Sequence, residues 1–225
     1  MLKCDMLTQP LSLYCLKYAE SVLPESMAFC GGSKEKVIPI SFAVYLIRIN
    51  CKNILVDAGC DTMPGFVMKR FYSPAFVLRQ LGLSANKITD VIITHAHHDH
   101  IEALPHFKNA VVHITEEEYS NGKKYIPKNM PVNIFKDKLL IDEQIKVIKW
   151  GGHSVGSAIV EITDKDKIHI LAGDEFYVND CITRKIPTGC YHNLEKSKEF
   201  IKKYGSNKYC VYTCHDISLK TERII

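Results

Sequence analysis

The 225-residue chain has no stretch that approaches the 18 consecutive apolar residues with which a helix spans a membrane. A secretory apolar core is also missing from residues 1–15, because Asp5, Thr8 and Pro10 interrupt the short apolar runs there. Linkers, repeats and low-complexity segments are absent as well. We therefore expect one domain over residues 1–225, no membrane partner, and the cytoplasm as the default location.

Neither the cysteines nor the charges mark a specialised class of protein. The nine cysteines are scattered, odd in number and free of any Cys-x-x-Cys spacing, so they do not indicate a disulfide framework. The net charge of +4, from 29 basic and 25 acidic residues, is too small to predict a nucleic-acid partner. With 46% hydrophobic residues, the composition suits a compact α/β enzyme.

Residues 94–100 carry four candidate metal ligands directly after the apolar run of residues 91–93. The spacing His-x-His-x-Asp-His is formed by His95, His97, Asp99 and His100, whose nitrogen and oxygen donors suit zinc or a similar divalent ion. A catalytic zinc ion takes three protein ligands, so four or more donors indicate two ions that share a site. The alternative is a histidine-rich loop that binds metal adventitiously, and the carboxylate at a fixed offset argues against it.

Three further candidate ligands follow apolar runs later in the chain. His153 lies after the apolar stretch of residues 145–150 and is preceded by two glycines, which let the backbone approach another group closely. Asp174 follows residues 168–172, and His215 follows residues 209–213. Because strand ends present side chains to a shared cleft, these positions predict one site built from distant parts of the chain.

These residues together resemble the metallo-β-lactamase superfamily, whose motif His-x-His-x-Asp-His is matched by residues 95–100. The resemblance extends from the early strand pair ending near Asp57 to His215. It implies an α/β fold, the four-layer αββα sandwich. It also implies two bound divalent ions, for which Zn²⁺ is the leading candidate and Fe or Mn are the alternatives. It also implies the ligand set, in which His95, His97 and His153 would hold the first ion, Asp99, His100 and His215 the second, and Asp174 would bridge them.

Within the superfamily, the chain is most similar to the N-acyl-homoserine lactonases. These enzymes carry a tyrosine three residues after the bridging aspartate, and Tyr177 stands at that spacing from Asp174. The residues around His215 also resemble the lactonase ending. The resemblance implies a hydrolase that opens a lactone and acts in quorum quenching, with a small-molecule ester or lactone as its partner. Tyr177 would donate a hydrogen bond to the developing oxyanion, and Asp99 would pass a proton to the departing alcohol.

Two other enzymatic functions remain open on the same scaffold. One is a thioester hydrolase of the glyoxalase II type, although that branch normally has an additional basic helical region and this chain ends ten residues after His215. The other is an iron-dependent oxidoreductase of the persulfide dioxygenase type. A binding module without chemistry is the blandest alternative, and seven retained ligands argue against it.

Several positions near the motif have two interpretations. Asp57 follows a strand and could orient a metal-bound histidine or simply cap a turn. The apolar side chains of residues 66–71 could receive an acyl tail or belong to the core. Cys60 and Cys214 adjoin site residues and could be reactive or buried. The remaining histidines are expected to be ordinary polar residues: His98, His106, His113, His169 and His192.

The sequence predicts alternating strands and helices. A hairpin is expected over residues 40–49 and 53–57, and a helix from Ser73 to about Gly82, with proline in its first turn. A strand over residues 110–114 is followed by Thr115 and Glu118, a capping-box signature for a helix to about Lys124. Further strands are expected near residues 132–135, 138–141, 145–150, 157–163, 168–172 and 209 onward, with a helix over residues 193–204.

Overall fold

The computed structural model describes residues 9–225, and they form two β-sheets with helices. The strands are β1 Gln9–Pro24, β2 Val37–Asn50, β3 Lys52–Val56, β4 Asp90–Ile92, β5 Val111–Thr115, β6 Val132–Phe135, β7 Lys138–Asp142, β8 Ile145–Lys149, β9 Ala158–Asp164, β10 Lys167–Leu171, β11 Tyr209–Tyr212 and β12 Glu222–Arg223. The helices are α1 Glu25–Ala28, α2 Pro74–Gln80, α3 His98–Ile101, α4 Glu116–Gly122, α5 Asn179–Thr183 and α6 Leu194–Tyr204.

The two sheets pack face to face, with helices against their outer faces. One sheet has the order β12-β1-β2-β3-β4-β5-β6 and the other β11-β10-β9-β8-β7. On β2, Tyr45 and Ile47 enter an apolar cluster shared with Val160 of the other sheet, whereas Leu46 between them belongs to the cluster that contains Val77 of α2. Alternate residues of a strand thus fill the space between the sheets and the space beneath the helices, which gives the predicted αββα layers.

Strand direction brings the candidate ligands to one edge of the molecule. Strands β3 to β6 run parallel to one another, and β10 runs parallel to β11. β8 shares the direction of β10, because both are antiparallel to β9. The segments that follow β3, β4, β8, β10 and β11 therefore emerge at matching ends of their sheets. The Ala158 backbone N–H donates to the Thr94 carbonyl at 2.8 Å and joins the two sheets at this edge.

The predicted hairpin, helices and later strands agree with the structure to within a few residues. Strand β1, sixteen residues long, was not predicted. A register shift at residues 17–19 and burial on both faces replace the simple alternation by which a strand is recognised.

Two expected absences, of a membrane span and of a secretory segment, concern different parts of the chain. Across residues 9–225, no helix combines the length and the apolar character that a membrane-spanning segment needs. The predicted absence of a secretory segment concerns residues 1–15, of which residues 1–8 lie outside those described.

Candidate metal centre

The seven candidate ligands converge on one point between the two sheets. His95 and His97 follow β4, and Asp99 and His100 lie in the first turn of α3. The ligand atoms fall into two groups, and within each group all of them lie within 4.8 Å of one another. One group is His95, His97, His153 and Asp174, and the other is Asp99, His100 and His215. We refer to the three histidines of the first group as the first half of the site, and to Asp99, His100 and His215 as the second half.

Asp174 lies between the two halves and presents one carboxylate oxygen to each. Its Oδ2 is 3.6 Å from Nε2 of both His95 and His153. Its Oδ1 is 3.4 Å from His100 Nε2 and 3.2 Å from His215 Nε2. Ligands about 2.0–2.1 Å from a tetrahedral ion lie roughly 3.3 Å apart, so these separations suit ligands of shared ions.

The protein fixes the orientation of four imidazoles by engaging their Nδ1 atoms. Each Nδ1 lies within hydrogen-bond distance of a protein oxygen, so each Nε2 faces the centre. The pairs are His95 with Thr94 Oγ1 at 3.1 Å, His100 with Asp57 Oδ2 at 2.8 Å, His153 with the Cys190 carbonyl at 2.7 Å, and His215 with the Ser41 carbonyl at 3.0 Å. His97 differs, since its Nδ1 lies 3.0 Å from His153 Nε2.

Buried atoms without partners show that the donor set fits metal ions. Nε2 of His95, His100 and His215 and Oδ1 of Asp174 are buried and make no hydrogen bond. A buried polar atom without a partner is costly, and divalent ions would satisfy all four atoms at once. Imidazole and carboxylate donors of this kind accept zinc, iron, manganese or cobalt.

Burial and neighbouring charges have opposing effects on the pKa values of the site's histidines. Burial, together with His100 nearby, lowers the pKa of His95 well below its ordinary value. Burial also opposes protonation of His100 and His215, but the nearby carboxylates, Asp174 foremost, together outweigh it and raise both pKa values. Burial opposes ionisation of Asp174 too, yet His215, His100 and His95 hold its pKa well below the ordinary value. Protons on His100 and His215 would therefore compete with metal ions.

Asp57 contacts a candidate ligand, as one of its two interpretations requires. Its carboxylate accepts hydrogen bonds from the Thr94 backbone N–H and hydroxyl, both at 2.8 Å, and lies 2.8 Å from His100 Nδ1. Asp57 is fully buried and has a positive φ of 62° directly after β3. It therefore orients His100 and the turn before His95 together.

A cavity of about 420 Å³ opens beside both halves of the site, and His97, His153, Asp99 and His215 line it. Tyr177 lines it, and the tyrosine ring stacks on His215 with centroids 4.9 Å apart. Burial raises the Tyr177 pKa, with Asp174 and Cys190 adding to the shift, so the hydroxyl remains protonated. Most other lining side chains are apolar: Val22, Leu23, Pro24, Met27, Ile40, Phe42, Pro64 and Phe66.

The two interpretations of residues 66–71 divide between neighbouring residues. Phe66 lines the cavity, is 44% exposed and stacks on Phe42, whereas Met68 is buried in the core. Val67, between them, is 73% exposed and does not line the cavity. The segment thus contributes one side chain to the cavity and another to the core.

The residues after the motif serve the scaffold. Ile101 is buried, and Glu102 accepts a hydrogen bond from the backbone N–H of Asp61 at 2.6 Å, which fastens the neighbouring loop.

Cys60 and Cys214 are buried, and burial raises the pKa of both thiols, that of Cys60 to about 12. Packing therefore accounts for both cysteines better than reactivity does.

The five histidines outside the predicted ligand set have other surroundings. His98 is within 3.0 Å of the Thr62 hydroxyl at the cavity rim. His113 contacts Asp90 at 2.8 Å, and His169 contacts the Tyr212 hydroxyl at 2.9 Å. His106 pairs with Asp61 at the surface, and His192 is exposed.

Sequence reasoning missed two buried carboxylates that contact the ligand-bearing loops. Glu118 was expected to complete a capping box, and Thr115 does accept from the Glu118 backbone N–H at 3.4 Å. The Glu118 carboxylate turns instead to Ala96, Ser154 and Gly156.

Glu175 is the second of these carboxylates. Its Oε1 accepts from the backbone N–H groups of Gly152 and His153 at 3.2 and 3.3 Å, and from the Ser157 hydroxyl at 2.6 Å. Burial raises the Glu175 pKa to about 7. Its only signal in the sequence is its place after Asp174.

Comparisons with known proteins agree with this architecture. Residues 43–203 match the metallo-beta-lactamase superfamily. A probable metallo-hydrolase of Methanocaldococcus jannaschii is 29% identical over 172 residues, 76% of this chain and 75% of that protein. The N-acyl homoserine lactonase AiiB of Agrobacterium fabrum is 26% identical over 105 residues, 40% of this chain and 38% of that protein.

The fold is also similar to that of solved structures. An N-acyl homoserine lactone hydrolase with the product N-hexanoyl-L-homoserine at its catalytic metal centre has a TM-score of 0.82 and 19% identity, with 97% of this chain and 100% of that chain covered. At this identity the likeness concerns the fold.

Proposed function

The chain belongs to the metallo-β-lactamase superfamily and is a metal-dependent hydrolase. We propose that it opens a lactone ring bearing an apolar acyl substituent, such as an N-acyl homoserine lactone. The observation that carries the proposal is the apolar cavity beside the converging donors. A relative named as an N-acyl homoserine lactonase supports the same substrate class.

The proposed metal ligands are the seven residues predicted from the sequence. His95, His97 and His153 would hold one divalent ion, Asp99, His100 and His215 the other, and Asp174 both, in keeping with its two oxygens facing opposite halves. When bound, two such ions lower the pKa of water enough to supply a nucleophile near neutral pH, and they polarise a carbonyl.

The chain's own residues would then position the substrate and carry the proton. Asp99 is the candidate to hold a proton and deliver it to the departing alcohol, because its side chain is 17% exposed and lines the cavity. Tyr177, protonated and at the cavity wall, is placed to donate a hydrogen bond to the carbonyl oxygen as its charge develops. The apolar side chains around Phe42 and Phe66 would cover the acyl chain and exclude water.

The cavity favours a lactone over a glutathione thioester. Glutathione carries carboxylates at both ends, and a site for it needs cationic groups in reach of them. None of the residues that line the cavity in the described part of the chain is a lysine or arginine. The lining suits an uncharged, partly apolar substrate.

The first test is ring opening of short-chain and long-chain N-acyl homoserine lactones, measured through the proton that the reaction releases. We expect turnover by protein loaded with zinc and none by a His97→Ala variant. No turnover of either lactone by protein that holds two metal ions would refute the lactone substrate and leave the hydrolase fold intact.

Acyl-chain contact is tested by truncating one side chain of the cavity wall. Phe66→Ala should raise KM for the long-chain lactone roughly fivefold, since about 1 kcal/mol of apolar contact is lost, and leave the short-chain lactone nearly unaffected. Val67→Ala is the matched control, because Val67 is adjacent but outside the cavity. Equal effects of the two variants would argue against acyl binding at Phe66.

A further inference from the structure

Glu118 connects the two loops that supply the first half of the site. It lies in the first turn of α4 and is buried, with 2% exposure. Its Oε2 accepts a hydrogen bond from the Ala96 backbone N–H at 2.8 Å. Ala96 stands between His95 and His97, so this bond fixes the backbone that carries both histidines.

The other oxygen of the same carboxylate holds the loop that carries His153. Glu118 Oε1 accepts from the Ser154 hydroxyl at 2.7 Å and from the Gly156 backbone N–H at 3.0 Å. Ser154 directly follows His153. A Cβ at position 156 would lie 2.9 Å from Glu118 Cγ, so the glycine permits the close approach.

The second half of the site does not depend on Glu118. His100 is oriented by Asp57, and His215 by the Ser41 carbonyl. Within residues 9–225, the Glu175 carboxylate accepts hydrogen bonds from the His153 loop and none from the His95 loop. Among these anchors, Glu118 alone contacts both loops of the first half.

We propose that Glu118 is a positioning residue that sets the spacing of His95, His97 and His153, and through it the affinity of the first half for a divalent ion. The inference rests on the proposed ligand set. Partners of this kind, which contact a ligand's support and not the metal, typically change metal affinity by 10- to 100-fold when altered. A carboxylate is required because Glu118 accepts three hydrogen bonds and donates none.

The test measures Co²⁺ binding by competition with a chelator and does not use turnover. In Glu118→Gln, the amide nitrogen must face at least one backbone N–H, and that donor is left unpaired. We expect one class of Co²⁺ site to weaken by 10- to 100-fold while the other class keeps its affinity. Glu116→Gln is the matched control, because Glu116 lies in the same turn of α4 and is exposed.

Ligand variants identify the affected half. In a His215→Ala background, which impairs the second half, Glu118→Gln should still weaken the remaining Co²⁺ site. In a His153→Ala background, which impairs the first half, Glu118→Gln should leave the affinity of the remaining Co²⁺ site unchanged. Ser154→Ala, which removes only one of the three hydrogen bonds, should weaken the first half less than Glu118→Gln and provides a milder variant if the latter does not fold.

Three results would overturn the inference: unchanged Co²⁺ affinity in both Glu118→Gln and Ser154→Ala, equal weakening of both classes of site, or the same effect from Glu116→Gln. Failure of the proposed function is recognised separately. Wild-type protein that binds two Co²⁺ ions without opening lactones would contradict the substrate, while the affinity comparison would remain decisive for Glu118.

Discussion

Asp99 differs from the other carboxylates around the metal centre because it is partly exposed. Its Oδ2 lies 3.6 Å from His100 Nε2 and 3.7 Å from His215 Nε2, and its side chain also reaches the cavity. Asp57 is fully buried, contacts His100 Nδ1 and Thr94, and does not line the cavity. We therefore propose separable roles for the two aspartates, with Asp99 in proton transfer and Asp57 in orientation.

Substitution of each aspartate by asparagine should reveal the difference. Asp99→Asn should lower kcat by about 10²- to 10⁴-fold, the range for loss of a general acid or base, with a smaller change in bound metal. Asp57→Asn should instead lower metal affinity by roughly 10- to 100-fold. Steady-state kinetics and metal analysis of both variants check this, and a loss of metal from Asp99→Asn that matches its loss of kcat would contradict the assignment.

Glu175 should make the metal-free protein less stable as the pH rises. Burial raises its pKa from 4.5 to about 7 in the folded state, so its favourable contribution is complete below pH 4.5 and is lost as the pH passes through 7. Between pH 5 and pH 8, wild-type protein should lose about 2–3 kcal/mol relative to Glu175→Gln, which does not titrate.

Urea unfolding of chelator-treated proteins at the two pH values measures this difference. Effects of the substitution that do not depend on pH cancel in the comparison. Parallel stability profiles for the two proteins would show that Glu175 keeps an ordinary pKa.

At the scale of elements, the loop of residues 152–157 is defined by close backbone approaches. A Cβ at position 152 would lie 2.1 Å from Glu175 Oε2 and 3.0 Å from Ser197 Oγ. A Cβ at position 156 would lie 2.5 Å from Thr115 Oγ1. The glycines around His153 therefore have a specific physical role, which is to admit Glu175 and Glu118 to the backbone.

Gly152→Ala should destabilise the protein by about 1–3 kcal/mol, the usual range for overpacking, and should displace His153. The cost should shrink in a Glu175→Ala background, because that variant removes the atom that the new Cβ meets. A double-mutant cycle from thermal or urea unfolding measures the coupling. Additive costs would mean that the contact with Glu175 is not the reason for the glycine.

At the scale of the molecule, the proposed ions would join the two sheets. His95, His97, Asp99 and His100 follow a strand of the seven-stranded sheet, whereas His153, Asp174 and His215 follow strands of the five-stranded sheet. The apolar cluster between the sheets already holds them together. Residues 9–225 thus share one core between the sheets and one candidate site, and a single domain over residues 1–225 stays a prediction.

Removal of metal should therefore lower the stability of the whole molecule. An ion at a thousandfold excess over its Kd contributes about 4 kcal/mol, which corresponds to roughly 10 °C in Tm for a domain of this size. Calorimetry with and without a chelator measures the shift, and His97→Ala should show a smaller one. An unchanged Tm on chelation of the wild-type protein would contradict metal binding between the sheets.

The sequence by itself determined the candidate ligands and most of the strands and helices. His-x-His-x-Asp-His is a local pattern, and the alternating or continuous apolar runs of β2 to β11 reflect which faces are buried. The repeated placement of a candidate ligand directly after an apolar strand also predicted that distant strand ends would share a site. Strand β1 was not predicted, because its irregular burial and its register shift disrupt the alternating apolar pattern by which a strand is recognised.

Only the tertiary structure decided what surrounds the ligands. Glu118 has the sequence signature of a helix cap, and its contacts with Ala96 and Ser154 arise because β5 and β8 end at the same edge. Glu175 and Phe66 likewise acquire their surroundings from segments far away in the chain. A hydrogen bond or cavity wall between such segments has no periodic trace in sequence, because it depends on how the sheets pack.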